Sequence, residues 1–116
     1  MHHHHRIDYI EFVVRDLAAA KRFYADAFGW EFNDYGPDYA GIKGVEGEVG
    51  GMYPSAAART GGGPLVILFS RDLEQSLTAV RAAGGTIAKE PFAFPGGRRF
   101  HFIDPSGNEL AVWSDV

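Results

Sequence analysis

The chain has 116 residues, a formal net charge of −4, 46% hydrophobic and 22% charged residues, and no cysteine. That length suits one compact domain, one that buries roughly two thirds of the surface its unfolded form exposes. The acidic balance argues against a nucleic-acid or anionic-membrane partner, no apolar run approaches the roughly 20 residues of a membrane helix, and the lack of cysteine excludes disulfides, thiolate metal sites and cysteine nucleophiles.

There is no signal-peptide pattern, so a cytoplasmic location is the expectation. His2 to His5 read as a purification tag or inert tail, able at most to pick up metal adventitiously. Residues 1–6 are therefore set aside, and residues 7–116 are taken as a single domain.

The first element is predicted at YIEFVV, residues 9–14, a strand with a carboxylate, Glu11, in its middle. Burying an unpaired carboxylate is costly, so Glu11 faces water, pairs, or lines a cavity. Asp16 then stands where a helix N-cap belongs. Leu17, Ala20, Phe23, Tyr24, Ala27 and Phe28 follow at helical spacing, and Gly29 stops the helix. Strand-like pieces follow at Trp30 to Phe32, Tyr39 to Ile42 and Glu48 to Tyr53, with a turn at Gly36-Pro37-Asp38.

Ser55 to Pro64 is rich in Ala and Gly and reads as a linker with one exposed helical turn. Gly61-Gly62-Gly63 lacks the strand, helix and lysine of a phosphate loop. Leu65 to Phe69 forms the next strand. Asp72 caps a second helix that carries Leu73, Leu77 and Val80, with Gln75 in the capping-box position and Gly84-Gly85 as the stop. Strands are then predicted at Thr86 to Ala88, Arg98 to Ile103 and Glu109 to Trp113. Turns fall at Gly96-Gly97 and at Pro105-Ser106-Gly107-Asn108.

The two halves repeat each other. Arg15-Asp16-Leu17 recurs as Arg71-Asp72-Leu73, an offset of 56, and at the same offset Ala27 meets Ala83 and Gly29 meets Gly85. The predicted fold is α+β, two βαβββ modules in tandem over about 7–54 and 64–114, joined by a linker at 55–63.

DLAAAKRFYADAFGWEF, VGGM, RDLEQSLTAVRAAGG and FIDPSGNELAVW together resemble the vicinal oxygen chelate superfamily of glyoxalases, bleomycin-resistance proteins and extradiol dioxygenases, and its glyoxalase-like subgroup in particular. The resemblance implies two curled four-stranded sheets forming a cup, and a subunit that joins a twin as a homodimer. In metal-dependent members a divalent ion sits on His and Glu ligands. The matching positions here are Tyr9, Leu65, Ala111 and the stretch Gly50 to Met52, which lack the usual donors. No metal and no other cofactor is therefore expected.

With Tyr9 on the cup side, strand alternation puts Glu11 and Val13 there too, and likewise Leu65, Ile67, Phe69, Arg99, His101, Ile103, Glu109, Ala111 and Trp113. Glu11 reads either as a wall residue paired with His101 or Arg99, or as a general base. His101 is either a satisfied structural histidine or an acid/base. Tyr9, Leu65, Ile67, Phe69, Arg99, Glu109 and Trp113 are the candidate ligand contacts. No Ser, His and acid stand together as a triad. Three functions follow in order: metal-independent binding of a small organic molecule; a metal-independent lyase or isomerase using Glu11, with His101 or Tyr9 stabilising charge; and a metal-dependent glyoxalase or dioxygenase with atypical ligands.

Overall fold

A computed structural model describes residues 2–56 and 64–116. The linker reading, with its glycine run and helical turn, falls almost wholly outside them. The elements run β1 (Ile10–Val14), α1 (Leu17–Phe28), β2 (Phe32–Asp34), β3 (Ala40–Lys43), β4 (Glu48–Pro54), β5 (Val66–Phe69), α2 (Leu73–Ala82), β6 (Thr86–Phe94), β7 (Gly97–Ile103) and β8 (Glu109–Ser114). They form two four-stranded sheets, ordered β1-β4-β3-β2 and β5-β8-β7-β6. In each, the first strand is an edge strand parallel to the last strand of its own module, and the remaining pairs are antiparallel. The expected α+β architecture of paired βαβββ modules is present.

Local chemistry sets the helix ends. The Asp16 carboxylate accepts from the Ala19 N–H at 3.0 Å, and Asp72 accepts from the Gln75 N–H at 3.2 Å, each satisfying a donor of the first turn. After α1 the backbone of Gly29 turns left-handed at φ 73°, and its N–H returns to the Ala25 carbonyl at 2.9 Å. Helix α2 closes on Ala83, with Gly84 taking the left-handed position at φ 100°.

The apolar stripe of α1 buries Leu17, Ala20, Phe23 and Tyr24, and α2 buries Leu73 and Val80. Both stripes enter one core with Val14, Ala40, Ile42 and Met52 of the first sheet and Phe100, Phe102, Leu110 and Val112 of the second. Burying each large side chain of this kind contributes on the order of 1.5–3 kcal/mol. Trp30 stacks on Tyr24 with ring centroids 4.5 Å apart, and Phe23 and Phe28 both pack on Phe102 across the modules. The helix-side faces of the two sheets share this core, so the other face of each sheet, here the open face, turns away from it.

A polar clasp joins the modules. Asp104, only 4% exposed, opens the turn between β7 and β8. Its Oδ1 accepts from the backbone N–H groups of Ser106 and Asn108, both at 2.9 Å. Its Oδ2 accepts from the Tyr24 hydroxyl at 2.9 Å and the Asn108 amide at 3.1 Å. The same Asn108 amide donates to the Val13 carbonyl, and Ser106 Oγ accepts from the Arg15 N–H, both at 2.9 Å. Burial, reinforced by the facing Asp104 carboxylate, pushes the Tyr24 phenol well above the ordinary tyrosine range.

One element is longer than its sequence suggests. β6 continues six residues past Ala88, to Phe94, although Pro91 lies within that extension. The strand is at the sheet edge, where a missing N–H is tolerated, and the proline lies within a register shift between Lys89 and Phe92 that follows another between Ile87 and Lys89. β2 starts at Phe32 rather than Trp30, because Trp30 turns into the core.

Tyr24→Phe removes one hydrogen bond from a buried carboxylate and is expected to destabilise the chain by about 1–3 kcal/mol. Asp104→Ala strands several donors at once and costs more. Urea denaturation of the two variants checks the order; equal stability of Asp104→Ala and the parent would rule out the clasp.

Candidate functional site

Register fixes which side chains share the open face of the first sheet. Glu11 pairs with Gly51, Gly51 with Gly41, and Gly41 with Asn33. The two central glycines leave a floor without side chains, and phenols and carboxylates lie across it. A Cβ on Gly51 would collide with the hydroxyls of Tyr39 and Tyr9, and one on Gly41 with the Glu48 carboxylate. The Tyr9 hydroxyl donates to the Tyr39 oxygen at 2.6 Å, Tyr39 donates to Glu11 Oε2 at 3.0 Å, and Glu48 Oε1 lies 3.3 Å from the Tyr9 hydroxyl. Glu48 Oε2 also accepts from the Tyr35 hydroxyl and from the Asn33 amide.

The charges follow from these contacts. The Tyr35 hydrogen bond, helped by Asn33, holds Glu48 below the usual carboxylate range, and the same bond raises Tyr35. Tyr39 is raised strongly, first by burial and then by its bonds to Tyr9 and Glu11. The cluster thus sets the raised phenols of Tyr35 and Tyr39 beside the Glu48 and Glu11 side chains.

The open face of the second sheet is different. One row across it reads Ile67, Ala111, His101 and Lys89, and the next reads Phe69, Trp113, Arg99 and Phe92. Phe69 meets Trp113 edge-on with centroids 5.2 Å apart, and Phe94 lies 6.2 Å from Trp113. The Arg99 guanidinium lies over Phe92 and Phe94, at 5.4 and 5.7 Å from the ring centroids. His101 is buried beside Phe92, and its Nδ1 lies 2.9 Å from Glu109 Oε2. Arg99 Nε and His101 Nε2 are buried without a hydrogen-bond partner.

The expected site residues thus fall into two groups on two sheets. Tyr9 and Glu11 belong to the first. Ile67, Phe69, Arg99, His101, Glu109 and Trp113 share the open face of the second, and Leu65 precedes β5, partly exposed. The expected pairing of Glu11 with His101 or Arg99 is not found. Tyr39 bonds to Glu11, and Glu109 bonds to His101 because it is the nearer acid on the adjacent strand. Sequence reasoning missed Asn33, Tyr35, Tyr39 and Glu48 on one face and Lys89, Phe92 and Phe94 on the other. The signal for Tyr39 was its place two residues before Gly41, which shares its face. Lys89 and Phe92 were hidden by the β6 bulges.

An open hollow of about 670 Å³ runs beside β5, between Ile67, Phe69 and Gln75 on one side and Phe28 and Trp30 on the other. It includes neither Arg99 nor His101, so it is not the polar site. The positions that the resemblance assigns to metal ligands carry Tyr9, Leu65, Ala111 and the Gly50-Gly51-Met52 run. Among the described residues no three His, Asp or Glu converge as a donor set. One phenol with alkyl and glycine neighbours does not fit a divalent ion, which needs several N or O donors together. Among the described residues, too, no helix is long and apolar enough to cross a membrane.

The sequence profile of the Glyoxalase/Bleomycin resistance protein/Dioxygenase superfamily matches residues 6–112. Among curated proteins no sequence matches the chain. Solved structures of similar fold include a glyoxalase-related enzyme from Fulvimarina pelagi, at 22% identity and TM-score 0.80, covering 95% of this chain and 88% of that one. A glyoxalase/bleomycin resistance protein/dioxygenase family enzyme from Burkholderia phytofirmans is similar at 17% identity and TM-score 0.80, covering 95% and 98%. The fosfomycin resistance protein of Listeria monocytogenes is similar at 14% identity and TM-score 0.79, covering 94% and 92%.

Gly51→Ala tests the glycine floor. The new methyl meets only the far ends of the Tyr9 and Tyr39 side chains, so the fold is expected to survive with a stability change of about 1 kcal/mol or less. The displaced Tyr39 loses its burial, and its phenol ionises at lower pH than in the parent. Ultraviolet titration of the phenolates reads this directly; an unchanged titration curve would show that the phenols do not occupy the floor.

Proposed function

The chain belongs to the glyoxalase/bleomycin resistance protein/dioxygenase superfamily, and from that premise we propose that it binds a small organic molecule against the open faces of its sheets, without a bound metal, and that a second copy completes each cup. The observation that carries this reading is the open face of the second sheet. Ile67 and Phe69 are 43% and 53% exposed there, contiguous with Trp113 and Phe92, with Arg99, His101, Glu109 and Lys89 as the charged or titratable groups among them. Apolar walls of this kind supply affinity, and a few polar groups set orientation. A contiguous apolar patch left to water marks a binding surface.

The homodimer draws support from the sheet edges. Among the described residues β1 and β5 are each paired on one side only and are not paired with each other. Both edges carry apolar side chains, among them Ile10 and Ile67. A twin that brings β1 of one copy against β5 of the other would face the phenol–carboxylate floor with the aromatic wall and cover both edges.

A second reading, a metal-independent lyase or isomerase, has one observation in its favour. Tyr39 donates to Glu11 Oε2, which orients a carboxylate on an open face where a bound molecule would lie.

A thermal-shift screen of aromatic metabolites and antibiotics, run with and without chelator, is expected to find a stabilising compound recovered chemically unchanged, with the same shift in both conditions. A stabilisation abolished by chelator contradicts the metal-free reading. Recovery of a product replaces simple binding with the second reading, and Glu11→Gln must then abolish turnover while leaving binding intact. Light scattering is expected to give twice the 12.7 kDa chain mass.

A further inference from the structure

We propose that the ligand of the second sheet's open face is an organic anion on a flat apolar body, of the aromatic carboxylate class. This rests on the small-molecule reading above and names the ligand's chemistry.

Arg99 carries the argument. Its guanidinium lies over the Phe92 and Phe94 rings, and its Nε is buried without a partner. Among the described residues it has no ion pair. Its neighbour Arg98 shows the contrast: on the opposite face, both of its terminal nitrogens are matched by the Glu74 carboxylate, at 2.7 and 3.1 Å. Arg99 is thus a partly desolvated cation that two aromatic faces compensate only in part. An incoming carboxylate supplies the missing charge and fits the planar guanidinium fork.

His101 is the second, independent observation. It is 3% exposed and lies two residues along β7 on the same face, and its Nε2 is buried with no partner. Glu109 accepts from Nδ1–H, so the imidazolium form has Nε2–H to give to a ligand oxygen. Lys89, the register partner of His101, is exposed and makes no ion pair among the described residues. Arg99 and Lys89 against Glu109 leave this face short of negative charge. Trp113 and Phe69 beside it provide the plate for a ring. The first sheet's open face, with Glu11 and Glu48, has the opposite polarity and repels an anion, which fixes the orientation.

Isothermal titration calorimetry on the full chain tests the class, with benzoate, indole-3-carboxylate and 1-naphthoate each measured against its own carboxamide. At least one acid is expected to bind roughly tenfold or more tighter than its amide, as hydrogen bonds to a charged group imply. Arg99→Gln is expected to erase that preference by weakening the acid far more than its amide, and Arg99→Lys to restore part of it. Circular dichroism confirms that both variants are folded. Amides binding as tightly as acids, a preference that survives Arg99→Gln, or no acid binding at all each overturns the anion assignment. In the first two cases, or where a neutral compound from the thermal-shift screen still binds, the small-molecule reading stands; where nothing binds in either experiment, both fall.

Discussion

The arrangement of the molecule depends on one buried carboxylate. Asp104 gathers two backbone N–H groups of its own turn, the Asn108 amide and the Tyr24 hydroxyl of the other module. Asn108 and Ser106 then reach the backbone at the end of β1 and the start of α1. A buried charge is tolerable only when such donors surround it, so the turn and the helix must keep their relative position. With the turn held against α1, Phe23 and Phe28 meet Phe102, the helix-side faces of both sheets close on one core, and the open faces are left to the outside. Where the site residues sit is a consequence of that constraint.

Much of this was legible in the sequence because it is local. The N-caps at Asp16 and Asp72, the stop at Gly29, the helical stripe from Leu17 to Phe28 and the repeat of Arg-Asp-Leu each follow from a few adjacent residues. The side of the strand on which Ile67, Phe69, Arg99, His101 and Trp113 lie followed from alternation once the resemblance set the cup side at Tyr9 and its matching positions. Alternation failed where the backbone departs from it. The strand predicted to end at Ala88 runs on through Pro91, which sits within a register shift at a sheet edge, and so Lys89, Phe92 and Phe94 lie beyond the predicted strand. The pairings of Glu11 and His101 were out of reach for another reason: each depends on which strand lies beside which, and a list of candidate acids does not rank them by distance. Tyr39 and Glu48 join the first face only because register sets Gly41 beside Gly51, a relation between segments ten residues apart with a turn between them.

The two open faces differ in chemistry although the modules share a plan. One has a glycine floor under phenols and carboxylates. The other has an aromatic wall with an unmatched arginine. The positions that the resemblance assigns to metal ligands carry a phenol, alkyl groups and glycines, and the polar groups of the site lie elsewhere, on β1, on β7, just before β3 and at the start of β4 and β8. That shift supports recognition by hydrogen bonds and stacking rather than by coordination. It also gives each face a sign, and a ligand held between the two would be oriented by them.

In a dimer that pairs β1 of one copy with β5 of the other, as proposed above, the floor around Glu11 in one copy faces the wall around His101 in the other. The chain has no cysteine, so Glu11→Cys offers a single attachment point for a nitroxide. Mixed with an equal amount of unlabelled but ¹⁵N-enriched chain, the spin-labelled copy should broaden the amide signals of Ile67, His101 and Trp113 in its partner, and reduction of the nitroxide should restore them. Those signals remaining sharp, in a sample shown by light scattering to be dimeric, would rule out that pairing of the two faces.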